Sequence, residues 1–133
     1  MNARDLFEQI RSDGFRLARM EWTYETVVNY ATGTKGSPAD GVRVQGGAVN
    51  SIADNVAAFV DLKDAIDRLR IQHEANVRKA EKILQKCEEK EAVTVIRLHY
   101  ISRLSWEEVA EFANYSVRHT IRIAKDELRK LSE

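Results

Sequence analysis

Four cations recur at intervals of four, three and four near the end of this sequence: Arg118, Arg122, Lys125 and Arg129. On a helix that spacing stacks them in a stripe about 60° wide. Arginine can bridge the O6 and N7 of guanine, and lysine or arginine can hold phosphate oxygens. A stripe of this kind therefore predicts a surface that binds double-stranded DNA. His119 and Asp126 flank it. Basic residues late in a helix also complement its dipole, which accounts for Lys125, Arg129 and Lys130 without any partner. Arg118 sits in the first turn, where the dipole disfavours a cation, so its position asks for another reason.

The elements that would hold this stripe can be read from local signals. Ser105 followed by Glu108 forms a capping box, opening a helix with Trp106, Val109, Ala110 and Ala113 on its apolar face. Asn114-Tyr115 makes the turn, asparagine being tolerant of the left-handed conformation. Ser116 is the next N-cap, and a helix runs from Val117 to about Leu131. Val117, Thr120, Ile121, Ala124, Leu128 and Leu131 should face the core, opposite the cations. A preceding helix, EAVTVIRLHYI, ends near Ser102-Arg103. Three short helices with a basic outer face on the last follow the helix-turn-helix plan, whose second helix enters the major groove.

The rest of the chain reads as two long helices. From about Ala3 to Thr32, apolar residues repeat every seven (Ala3, Ile10, Leu17, Tyr24, Ala31), with Leu6, Met20 and Val27 interleaved. From about Val49 to Glu89, one row is Ile52, Phe59, Ile66, His73, Ala80 and Cys87, and the other Asn55, Leu62, Leu69, Asn76 and Ile83. Two rows with a period of seven describe a coiled-coil seam, needing the other helix, a second copy of the chain, or both. His73, Asn55 and Asn76 read as polar seam residues that restrict register, since no second ligand stands three or four residues from His73. Gly14 marks a kink or a break. Trp22 and Tyr24 pack in the seam, the other reading being a partner-binding patch. Between the helices lies GTKGSPADGVRVQGG, a flexible connection at about 33–48.

The expected fold is thus all-α: a long coiled-coil-like hairpin over 1–90, then a three-helix DNA-binding unit over 91–133. Composition narrows the function. The 133 residues include 21 Lys plus Arg and 21 Asp plus Glu, so no global charge draws the chain to nucleic acid and any such binding must be local. Cys87 is the single cysteine, which excludes an internal disulfide and fits a reducing cytoplasm. No run of about 18 apolar residues predicts a membrane span, and the first residues lack the apolar stretch of a signal peptide. Catalysis is not expected. His73, His99 and His119 fall on different elements, no neighbour activates Cys87, and no glycine-rich phosphate loop follows a strand. Glu88, Glu89 and Glu91 read as a solvated face, and neither metal nor cofactor is expected.

The tract SWEEVAEFANYSVRHTIRIAKDELRKL resembles the helix-turn-helix of the fourth conserved region of bacterial primary sigma factors, which reads the promoter −35 element. The likeness is ungapped over about 27 residues, through Glu107-Glu108-Val109-Ala110, Ser116 at the cap and Leu128-Arg129-Lys130-Leu131. It implies that Val117, Arg118, His119 and Arg122 face the bases. Asn114 stands where that family usually has glycine, Thr120 replaces an aliphatic residue, and Ile121 an exposed polar one, which implies a slightly rotated core face. Nothing resembles the other sigma regions. A helix carrying Trp22-x-Tyr24, the Gly/Ser/Pro-rich loop, a long charged helix and the tract HYISRLSWEEVAEFANYSVRHTIRI together resemble small regulators of Gram-positive phages and prophages of the ArpU type, which implies transcriptional regulation. In a DNA-binding regulator the long hairpin would pair with a second copy of the chain or touch RNA polymerase. Two alternatives stand beside it: a phage packaging protein similar to small terminase subunits, and a helical adaptor whose long hairpin does the work.

Overall fold

A computed structural model describes residues 2–32 and 48–132, with side chains at 2–30 and 56–132. Every element among the described residues is helical: α1 (Ala3–Thr32), α2 (Ala48–Gln85), α3 (Lys90–Ile96), α4 (Trp106–Ala113) and α5 (Val117–Ser132), with α3 continued by a wider turn, Arg97–Ile101. The all-α expectation holds. The expected connection at about 33–48 lies outside the described residues, save Ala48, which opens α2, as do the side chains of Ala31, Ile52 and Asn55.

The chain divides into two compact units, residues 1–16 with 71–133, and residues 17–70. This division does not fall at residue 90. The start of α1 and the end of α2 share one core with the three short helices, because Leu6, Phe7 and Ile10 pack with Ala80, Leu84, Val95, Ile96, Tyr100, Val109, Ala124 and Leu128. Three short amphipathic helices enclose too little apolar surface to stand alone, and Phe7 and Ile10, both wholly buried, complete it. Burying a Phe or Ile side chain stabilises by about 1.5–3 kcal/mol.

The seam follows the expected rows only in part. Ile66, Leu69 and Ala80 are buried as expected, but towards the end of α2 Leu84 is buried in place of Ile83, which is only partly covered, with Val77 beside it. A straight helix drifts about 20° per heptad from a strict repeat of seven, which moves the stripe from one row to its neighbour.

Gly14 does not break α1, which runs on through it. Its missing side chain instead admits Arg103: a Cβ there would lie 2.9 Å from the Arg103 Cδ. Arg103 donates from Nη1 to the Gly14 carbonyl at 2.5 Å, and its own backbone is left-handed, at φ 68°. Arg11 reaches the same corner, donating from Nη1 to the carbonyls of His99 and, at 3.1 Å, Leu104. It thereby satisfies acceptors that the end of the α3 extension leaves open. That extension carries the longer register of a π-turn, Ser102 N–H donating to Arg97 O at 3.0 Å.

In the second unit Leu17, Ile66 and Leu69 form a small core with Met20, Tyr24 and Leu62. Tyr24 stacks on Phe59 at 4.6 Å, and Arg70 donates to Glu21 at 2.6 Å. Tyr24 is therefore a seam residue as expected. Trp22 is not: it is 68% exposed, and Val27 also lies at the surface. Two residues along a helix rotate the side chain by about 200°, so Trp22 points away from the seam that Met20 and Tyr24 define.

Candidate nucleic-acid interface

The basic stripe sits on a helix whose position is fixed at both its start and its core face. Upstream, the Ser105 hydroxyl accepts the Glu108 amide at 3.1 Å, and the Glu108 carboxylate accepts the Ser105 amide at 2.9 Å. This is the capping box expected from sequence. Asn114 closes α4 in the left-handed conformation, at φ 65° and ψ 41°. Tyr115 N–H then donates to Ala110 O at 3.0 Å, so the chain turns sharply within Asn114, Tyr115 and Ser116. The Ser116 hydroxyl accepts His119 N–H at 3.1 Å and caps α5.

One core face of α5 is anchored as the pattern predicts. Thr120, Ala124 and Leu128 are buried, while Val117, Ile121 and Leu131 are half-buried. Thr120, wholly buried, occupies an aliphatic position without cost because its hydroxyl donates to Ser116 O at 2.8 Å. Glu127 is also buried, which the apolar pattern could not reveal; its carboxylate accepts the Cys87 thiol at 2.9 Å. Burial and this carboxylate raise the Cys87 pKa, so the thiol stays protonated.

The opposite face carries Arg118, His119, Arg122, Lys125 and Arg129, all exposed, with Ser116 exposed at the cap. These cations differ in what they already hold. Arg129 is ion-paired with Asp126 one turn back. Arg118, Arg122 and Lys125 have neither a hydrogen bond nor an ion pair with any described residue. His119 rests edge-on against the Tyr115 ring at 4.7 Å, and the Tyr115 hydroxyl donates to the Glu91 carboxylate, which raises the phenol's pKa. The Glu91–Tyr115–His119 chain ties the first turn of α5 to α3. Sequence reading placed Glu91 in a solvated face and gave Tyr115 only a turn role. Twenty-four residues separate the pair, and no local signal links them.

A second charged surface lies on α4, where Glu107, Glu108, Glu111 and Phe112 are exposed, Phe112 by 69%. It is acidic where the α5 face is basic, so the zero net charge of the whole chain conceals separate faces of opposite sign. Among the described residues no group of three His, Cys, Asp or Glu is placed to hold a metal ion, and no helix is long and apolar enough to cross a membrane. Compared with protein-family models, with curated proteins and with solved structures, the chain matches none.

Proposed function

We propose that the chain is a DNA-binding transcriptional regulator of phage or prophage origin, working in the cytoplasm of the host, with α5 as the recognition helix of a helix-turn-helix. The observation that carries this reading is the row of unpaired cations, Arg118, Arg122 and Lys125, on a helix capped and packed so that its outer face is fixed. Unpaired arginines on a helix of fixed position have no ion pair to give up on meeting a base edge, and the planar fork of each presents two donors at once, which favours direct readout. In this reading Arg118 and Arg122 meet bases with Val117 and His119 beside them. Ser116 and Lys125 hold phosphates, and Arg129 joins them by giving up Asp126. The long helices pair with a second copy of the chain or meet RNA polymerase, and the acidic outer face of α4 stays clear of the phosphates. The phage origin and the transcriptional role rest on the resemblance of the sequence.

The test is binding of the purified full chain to genome fragments at two salt concentrations, beside an Arg118→Ala/Arg122→Ala variant. A few fragments should be retained selectively, and the variant should lose that selection. Arg122→Ala alone should cost about 1–3 kcal/mol on the selected site. Loss of two contacts to phosphates only would weaken all sequences equally and flatten the salt dependence by about two counterions. No binding above background overturns the reading. The exposed Trp22, Val60 and Ile71 favour a second one, a helical adaptor that works by protein contacts. A ring of many subunits in light scattering would instead favour genome packaging.

A further inference from the structure

The start of α1, the end of the α3 extension and the last two turns of α5, all in the same compact unit, enclose a cavity of about 340 Å³. Its wall carries Arg4, Lys125 and Arg129 against one carboxylate, Glu8, with Leu128 as an apolar patch and Tyr100 as the floor. Tyr100 is 3% exposed. Its ring is clamped edge-on by Phe7 at 5.9 Å, His99 at 4.7 Å and Trp106 at 6.0 Å. Its hydroxyl has no hydrogen-bond partner among the described residues. The ring is buried but the hydroxyl is not sealed in with it, so it opens onto the cavity and is free to donate to whatever enters.

The hydroxyl lies on the cavity side, where the charges of Glu8 and Arg4 both act on it. Burial pushes its pKa up to about 12, so at neutral pH it is a phenol able to donate. A donor at the floor, Arg4 and Lys125 without ion-pair partners among the described residues, and Arg129 shared with Asp126 outweigh the single wall carboxylate of Glu8 and call for an acceptor that is negatively charged. Cavities of this size lie at the small end of those that take organic ligands.

We propose that this cavity binds a small organic oxyanion, a phosphate monoester or a carboxylate. Its oxygens accept from the Tyr100 hydroxyl and pair with Arg4, Lys125 and Arg129, and its organic part lies on Leu128. The site stands independently of the proposed function. Its consequence rests on that reading, since Lys125 and Arg129 also belong to the basic stripe, so the bound anion draws two cations from the DNA side and lowers DNA affinity.

Titration of the full chain with phenyl phosphate, followed by calorimetry, tests the site. One equivalent should bind, and Tyr100→Phe and Arg4→Gln should each weaken binding at least tenfold. Tyr100→Phe removes only an unpartnered hydroxyl, so its urea midpoint without ligand should match the parent and a folding defect is separable. Absence of saturable binding, or equal binding by both variants, overturns the proposal. A short duplex distinguishes the source of the oxyanion. If Arg4→Gln loses duplex affinity but keeps phenyl phosphate, the cavity serves the DNA backbone and the small-molecule proposal fails. Phenyl phosphate binding in a chain that binds no duplex upholds the site and overturns only the function.

Discussion

At the scale of single residues, His99 shows how burial converts a titratable side chain into a structural one. Its ring stacks on Trp106 at 3.6 Å, and its Nδ1–H donates to Leu104 O at 2.8 Å, which fixes the neutral tautomer. Burial, with the nearby Arg11 charge, lowers its pKa to about 4. The unfolded chain would take up this proton near the ordinary value of about 6.5. Protons are therefore bound by the unfolded state and not by the folded one between these limits. The stabilisation is complete above pH 6.5, declines as pH falls towards 4, and does not decline further below that. The full window corresponds to roughly 3 kcal/mol. His99→Phe keeps a ring against Trp106 and leaves Leu104 O its Arg11 donor, so the variant should lose less stability than the parent between pH 7 and pH 4.5. Urea midpoints at the two pH values measure the difference, and equal slopes would show that His99 already titrates normally in the fold. Nothing in the sequence marked this histidine, since its neutrality comes first from burial in the tertiary core and then from the charge of Arg11, 88 residues away.

At the scale of elements, the parts legible in sequence are those with local causes. Ser105 and Glu108, Asn114 and Ser116 each act within one turn of their own helix, and each takes the role its type predicts. Ser105→Ala should cost about 1 kcal/mol, measured as a lower urea midpoint, because it strands the Glu108 amide at the start of α4. An unchanged midpoint would mean that packing of Val109 and Ala110 alone sets that helix. The apolar face of α5 was equally legible, but Glu127 on that face was not, since its burial comes with a partner, Cys87, on another segment. The long helices were legible as seams and misread in detail. Repeats of seven identified Ile66, Leu69 and Ala80, then departed from the true stripe at Leu84, buried where Ile83 was expected, because a straight helix does not keep a period of 3.5.

At the scale of the molecule, the boundary expected near residue 90 fails to coincide with a core. The three short helices have sequence signals of their own, yet their apolar faces close on Phe7, Ile10, Ala80 and Leu84. A fragment of residues 88–133 should therefore lack a cooperative thermal transition, while the full chain shows one. Cooperative unfolding of the fragment would make α4 and α5 independent of α1. Such long-range closure leaves no periodicity to read, which is why composition and spacing divided the chain at the wrong place for its packing. The contact between the Arg4 amide and the Ser132 hydroxyl, at 3.4 Å, spans 128 residues. Residues 3–16 find part of their docking surface on α2, α3 and α4 and the rest on Ala124 and Leu128 of α5. A chain cut short before α5 would leave Phe7 and Ile10 with an incomplete core. Removal of α5 thus takes away the basic stripe and part of the core that holds the start of α1 in one stroke, so a protease cut before Val117 reports on both ends of the chain at once.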